Sequence, residues 1–193
     1  VVITQWDWAD PTAYLHDQAS TDKRDPTVNA YGSIYGALEA SADYVPVLDP
    51  ISHTASRVPL PVRDPNTPVA SGPPMQPSPY WGDEAIWDSK ANAHNPMLDD
   101  QARVWLTSRV GPSANPDFCR EGSDHPSAKL FPTTRAGRHL AMYDPSTEEI
   151  SLIRTCFGTH HLIFAEDENN TIWTSGGGQV IGWLNTKMYL DTG

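Results

Sequence analysis

Apolar and polar positions in this chain alternate in short runs and do not recur every three or four residues. No long segment carries apolar residues at i, i+3, i+4 and i+7, and proline interrupts most windows in which a helix could start. What recurs instead is a short unit in which a polar turn with Asn, Asp or Gly leads into a β-branched residue and then an aromatic one. It occurs over residues 29–36, 100–107 and 167–174, and its aromatics, Tyr35, Trp105 and Trp173, are spaced by 70 and 68 positions. Each copy predicts a tight hairpin entering a half-buried strand.

A second element repeats as well. Val47-Leu48-Asp49-Pro50 is followed by Ala55-Ser56-Arg57-Val58, and Met142-Tyr143-Asp144-Pro145 by Ile150-Ser151-Leu152-Ile153. Both read as a strand ending at Asp-Pro, a polar turn and a returning strand. The interval from Tyr35 to Asp49 is 14 positions and that from Trp105 to Asp144 is 39, so the second unit carries an insertion of 25 residues, at about 110–134 around Cys119. Each unit (about 9–80, 81–155 and 156–193) thus predicts four strands, the blade of a β-propeller. The expected fold is all-β: about three four-stranded blades of a larger propeller, since closure takes about four to eight. The remaining blades of the same protein are expected partners. Between Pro59 and Pro79 lie eight prolines in 21 residues, predicting an extended surface connection. Trp81–Asp88 reads as a strand at a blade edge or, through Glu84 and Asp88, as a binding rim.

Composition agrees with short strands and many turns: 193 residues, 38% hydrophobic, with 18 prolines, 13 glycines and 7 tryptophans. A net charge of −11 argues against nucleic acid or an anionic membrane surface as partner, because both are bound through Lys and Arg. No run approaches the roughly 20 apolar residues of a membrane-spanning helix, so no membrane insertion is expected. The chain opens on Val1-Val2-Ile3-Thr4 and stops at Asp191-Thr192-Gly193, from which missing sequence is expected on both sides. Cys119 and Cys156 form one possible disulfide, closing a loop of 37 residues and contributing roughly 3–4 kcal/mol; the alternative is two free buried thiols.

Two stretches carry a family resemblance. His94-Asn95-Pro96-Met97-Leu98-Asp99-Asp100 runs into Val104-Trp105-Leu106-Thr107, and His161-Leu162-Ile163-Phe164-Ala165-Glu166-Asp167 into Ile172-Trp173-Thr174-Ser175. Both resemble blades of the streptogramin lyase-like (virginiamycin B lyase-like) propellers, and the Tyr143-Asp144-Pro145 hairpin is similar to the next strand pair of such blades. The resemblance implies that His94 and His161, 11 and 12 positions before their tryptophans, reach the mouth of a central channel. There they would bind a divalent metal ion or serve as the base in an elimination, for which neutral imidazole is suited. The activity implied is that of a metal-assisted carbon–oxygen lyase acting on a small polar molecule in the channel. The alternative is a non-catalytic propeller that binds a ligand or a protein, with structural histidines.

The first unit offers Arg24 at 11 positions before Tyr35 and no histidine. Arg24 is therefore expected to orient a substrate carboxylate with its planar fork, and a three-histidine site is expected to need ligands from other blades. His160 is read as pointing away from His161, because neighbours on a strand face opposite sides. Glu166 and Asp167 read as turn caps, His125 as part of a solvated loop, Asn169-Asn170-Thr171 as a weak glycosylation pattern, and Gly176-Gly177-Gly178 as a turn. Tryptophan content, the possible disulfide and the resemblance together predict a periplasmic or extracellular bacterial location.

Overall fold

The computed structural model describes residues 10–71, 83–84, 86–176 and 178–193. Among these residues eleven strands form three antiparallel sheets, in agreement with the all-β expectation. The first sheet contains β1 (Asp17–Ala19), β2 (Ile34–Ala37), β3 (Tyr44–Asp49) and β4 (Thr54–Pro59); the second contains β5 (His94–Leu98), β6 (Val104–Ser108), β7 (His139–Asp144) and β8 (Glu149–Ile153). β9 (Leu162–Phe164), β10 (Ile172–Thr174) and β11 (Gly182–Leu184) make the third. Within each sheet every strand pairs with its sequence neighbour, so all three are simple meanders.

The repeated motifs mark equivalent places. Tyr35, Trp105 and Trp173 all lie on the second strand of their sheet, and Asp49 and Asp144 each close a third strand ahead of its return. Polar anchors hold these turns. Buried Asp99 accepts from the backbone N–H groups of Gln101 and Arg103, from Arg103 Nε and from the indole of Trp105, so the β5–β6 turn and the core tryptophan share one carboxylate. Asp49 and Asp144 accept in the same way from backbone N–H groups two residues on.

Alternation puts a cross-strand row on each face of a sheet. In the first sheet Ala19, Tyr35 and Val47 lie side by side, and Tyr35 and Val47 are buried with Leu98, Val104, Leu106, Ala141 and Tyr143 of the second. The opposite face of that second sheet carries Met97, Trp105 and Met142 in one row, buried with Leu162, Phe164 and Ile172 of the third. The matching row on the outer face of the third sheet is Ile163, Trp173 and Trp183, at 59%, 44% and 56% exposure. The same face is covered twice and bare once.

The connection between β6 and β7 holds a short 3-10 turn at Asp117–Cys119 and helix α1 (Pro126–Leu130). Cys119 is disulfide-bonded to Cys156, with Cα atoms 5.2 Å apart. The Cys156 carbonyl also accepts from Asn115 and Thr133, so this segment is fastened to the chain between β8 and β9 by covalent and polar links together. Helix α2 (Thr186–Thr192) follows β11, its first turn capped by Asn185. Among the described residues no helix is long and apolar enough to cross a membrane.

Two expectations change here. The edge strand over Trp81–Asp88 does not form at residues 83, 84 and 86–88, while Trp81, Gly82 and Ala85 lie outside the described residues. Trp87 instead donates its indole N–H to the Thr12 carbonyl and stacks on Tyr14. Of the proline-rich connection, residues 60–71 run without regular structure and 72–79 lie outside the described residues, as do Val1-Val2-Ile3-Thr4 and Gly177.

The two tryptophan environments predict opposite responses. Trp105→Ala removes a fully buried ring and one of the two donors to Asp99 Oδ2, and should cost about 3–5 kcal/mol in urea-induced unfolding. Trp173→Ala should cost less than about 1 kcal/mol in the same chain.

Candidate functional site

The candidate site lies where the first strands of the three sheets begin, with β5 packed between β1 and β9. His94 opens β5, His16 immediately precedes β1, and His160 and His161 immediately precede β9. β5 carries a bulge between His94 and Met97, with Asn95 in the left-handed region at φ 52°. Such a bulge re-aims the side chain beside it. Asn95 also joins the three strands: its backbone N–H donates to Asp17 Oδ2 at 3.0 Å, and its Oδ1 accepts from the backbone N–H of Leu162.

The imidazoles are crowded. His94 lies 4.5 Å from His16, 4.6 Å from His160 and 5.0 Å from His161, between ring centroids. His160 and His161 are 4.1 Å apart. Among the described residues two sets of ligating atoms come within 4.8 Å of one another: His94 with His160 and His161, and His94 with His16 and Glu39. A four-coordinate divalent ion with bonds near 2.1 Å has ligand–ligand edges of about 3.4 Å, inside the 4.8 Å that bounds each set. His94 and His160 are stacked with only 17° between their planes. One ring must turn before both point a lone pair at one ion.

His94 is 2% exposed, and neither ring nitrogen makes an in-line hydrogen bond. Its Nδ1 is 3.0 Å from Asp17 Oδ2 and 3.5 Å from Glu39 Oε1, contacts that are electrostatic and poorly aligned. Burial pushes the His94 pKa down to about 4 against the pull of Asp17, with Arg138 adding to the depression. The His160 pKa is lowered by burial and then by His161 and Arg138. Burial raises the Asp17 carboxyl, but hydrogen bonds from His16 and the Asn95 N–H, with the charge of His94, leave it below the ordinary value. At neutral pH His94 and His160 are uncharged, with lone pairs available.

The backbone holds this arrangement in several places. The Thr107 hydroxyl lies 3.1 Å from the His94 carbonyl oxygen and 2.7 Å from that of His160, linking β5 and the approach to β9 through β6. Gly176, at φ 108°, lies against His160, and a Cβ there would come within 2.2 Å of the His160 Cβ. A side chain at 176 would displace His160.

Several residues lie elsewhere than expected. Counting 11 positions back from Tyr35 leads to Arg24, but the 14-residue link between β1 and β2 replaces the five-residue turn between β5 and β6, so Arg24 sits in a connection and His16 holds the strand start. The first unit therefore does supply a histidine. The Arg24 guanidinium pairs with Asp22 at 2.6 Å, donates to the Ala165 carbonyl and Asn170, and covers the Phe164 ring, joining the first sheet's link to the third sheet. Those contacts engage all three of its nitrogens, which leaves no free fork for a substrate carboxylate.

His160 faces the cluster, because strand alternation starts only at Leu162. Asp167 accepts from the Thr171 N–H as a turn cap, and His125 caps α1. Glu166 and Arg24 line a cavity of about 180 Å³ away from the imidazoles. Asp17 and Glu39, the two carboxylates at the cluster, belong to no sequence motif. Glu39 has φ 48° and donates its N–H to the Ala93 carbonyl, a local geometry without a pattern in residue type.

Comparison with known proteins returns no match to any protein-family model, to any curated protein or to any solved structure. The site must be read from its own chemistry.

A second buried histidine joins His94 in setting the acid response. His139, on β7, accepts the Thr155 N–H at Nδ1, and burial followed by the charge of Arg154 pushes its pKa down to about 4. Both groups titrate near 6.5 when unfolded, so between pH 6.5 and 4 the unfolded chain binds more protons than the folded one. Stability is then full above pH 6.5 and falls as pH drops toward 4, by on the order of 3 kcal/mol per histidine. Denaturant midpoints of the metal-free protein should decline across that window, and His139→Asn should remove about half of the decline.

Proposed function

We propose that this chain forms part of a secreted β-propeller that holds a divalent transition-metal ion at its channel and acts as a carbon–oxygen lyase on a small polar molecule. One observation carries the reading: three imidazoles from two sheets, His94, His160 and His161, lie within reach of a single ion, and the buried one has no in-line partner at either nitrogen. A buried imidazole nitrogen without an in-line partner costs about 1–3 kcal/mol, and His94 leaves two where buried His139 leaves one. The donor set suits zinc, cobalt, nickel or copper better than magnesium or calcium, which take oxygen ligands.

The propeller part of the proposal is supported by the three successive meander sheets stacked face to face, with their first strands adjacent. The bare Ile163-Trp173-Trp183 row also favours it, because the equivalent rows of the other two sheets are covered by the next sheet in order. The Cys119–Cys156 disulfide favours an oxidising compartment.

His94, His160 and His161 would hold the ion, which when bound would polarise a substrate carbonyl. His161, the exposed member, also lines an open cavity of about 450 Å³ with Lys23, Asn95 and Trp173. With that carbonyl polarised, the exposed His161 imidazole would be the base that accepts a proton from the neighbouring carbon. The C–H electron pair becomes the new double bond as the C–O bond breaks and its pair leaves with oxygen. Lys23 meets a carboxylate of the same molecule across the cavity.

Titration of the metal-free protein with cobalt(II), followed by its visible absorption, tests the reading. Stoichiometric binding is expected, with His94→Ala weakening it by at least about tenfold. In an elimination screen with the loaded protein, His161→Ala should lose turnover while retaining weakened binding. Absence of binding at any of these metals, with His94→Ala changing stability alone, would leave the histidines structural and end the lyase reading.

A further inference from the structure

The cluster contains more ligands than one ion can use, and the surplus is organised. His16 Nδ1 lies 2.9 Å from Asp17 Oδ2, a contact that favours the tautomer with its proton there and its lone pair on Nε2. Nε2 in turn lies 3.5 Å from Glu39 Oε2, while Glu39 Oε1 lies 3.5 Å from His94 Nδ1. The first separation matches the ligand–ligand edge of about 3.4 Å expected around a tetrahedral ion with bonds near 2.1 Å; the second is to the other carboxylate oxygen, and the three ligating atoms of the set lie within 4.8 Å of one another.

The surrounding contacts are those that metal ligands need. A ligating histidine ordinarily gives its other N–H to a carboxylate, and a ligating carboxylate is itself hydrogen-bonded. Asp17 does the first for His16. Arg138 Nη2 does the second, at 2.7 Å from Glu39 Oε1, which leaves Oε2 free. Arg138 is fixed by the carbonyl and side-chain oxygens of Asn92 and does not swing into the site. Two carboxylates against one guanidinium leave a single negative charge facing the gap.

We infer that His16 and Glu39 form a second cation subsite, and that His94, common to both clusters, bridges two divalent transition-metal ions as imidazolate. The inference rests on the three-imidazole site of the preceding section for its first ion. With Nδ1 turned toward Glu39, Nε2 of His94 is the nitrogen left for the His160 and His161 side. Both nitrogens of this nearly sealed ring lack an in-line hydrogen-bond partner. Entry of the second ion removes the one remaining N–H proton of His94 to solvent, so the ring ends with one negative charge shared between two dications.

The test loads the whole metal-free chain with copper(II) or zinc(II), counts bound metal after gel filtration, and follows the copper EPR signal through the titration. Wild type should hold two ions per chain. Glu39→Gln and His16→Ala should each hold one, as should the His160→Ala/His161→Ala double variant, with far-UV circular dichroism confirming that each is folded. In wild type the EPR amplitude should fall as the second copper enters, because spins joined through imidazolate couple antiferromagnetically, and this fall should be lost in every variant. One ion in wild type, unchanged by Glu39→Gln and His16→Ala, overturns the second subsite and leaves the three-imidazole reading standing. One ion that is lost in Glu39→Gln yet kept in the double variant overturns the three-imidazole site and the bridge with it. Two ions whose EPR signals simply add overturn the bridge. No bound metal in wild type overturns both readings.

Discussion

The histidine cluster depends on Asn95. A left-handed residue in the β5 bulge gives its backbone N–H to Asp17 on β1 and takes the Leu162 N–H of β9 at its side-chain oxygen, so one residue sets the spacing of three strands from three sheets. Each bond is worth only about 1 kcal/mol in net stability, but the consequence is geometric. His16, His94 and the His160–His161 pair flank the three strand starts, and a change in spacing between the strands would separate the rings. Asparagine tolerates the positive φ and offers both a donor and an acceptor. Asp17 is held by the same contact that places it beside His16 and His94.

The cluster also shows how an acidic protein can present uncharged nitrogen ligands. Burial keeps the His94 proton off despite two neighbouring carboxylates, and Arg138 opposes their pull from the other side. Carboxylates, guanidinium and desolvation thus act in opposite directions on one ring. The net result is an imidazole that is neutral at pH 7 in a chain whose formal charge is −11.

Much of the sheet architecture was legible in the sequence because strands leave a periodic trace. Tyr35, Trp105 and Trp173 kept phase over the whole chain and all fall on second strands; the Asp-Pro hairpins of Asp49 and Asp144 lie where they were read. The site was legible only where a histidine followed that same phase, as His94 and His161 did. His16 was missed because the β1–β2 link is longer than the β5–β6 turn, and a fixed count selected Arg24 instead. His160 was misread because the rule of alternating faces was applied to residues ahead of the strand. Asp17 and Glu39 left no trace, since their placement comes from a backbone bridge to Ala93 and a bond to Asn95, contacts between distant segments that no local spacing encodes.

The burial of His94 has a kinetic side. At 2% exposure His94 could not meet a hydrated ion by collision, whereas exposed His161 and half-buried His160 could. The ion proposed above would therefore shed water at the outer rings and pass inward from one nitrogen to the next. Its departure would require the same sequence in reverse, with a bond broken at each transfer. A path of this kind would make capture sequential and release slow.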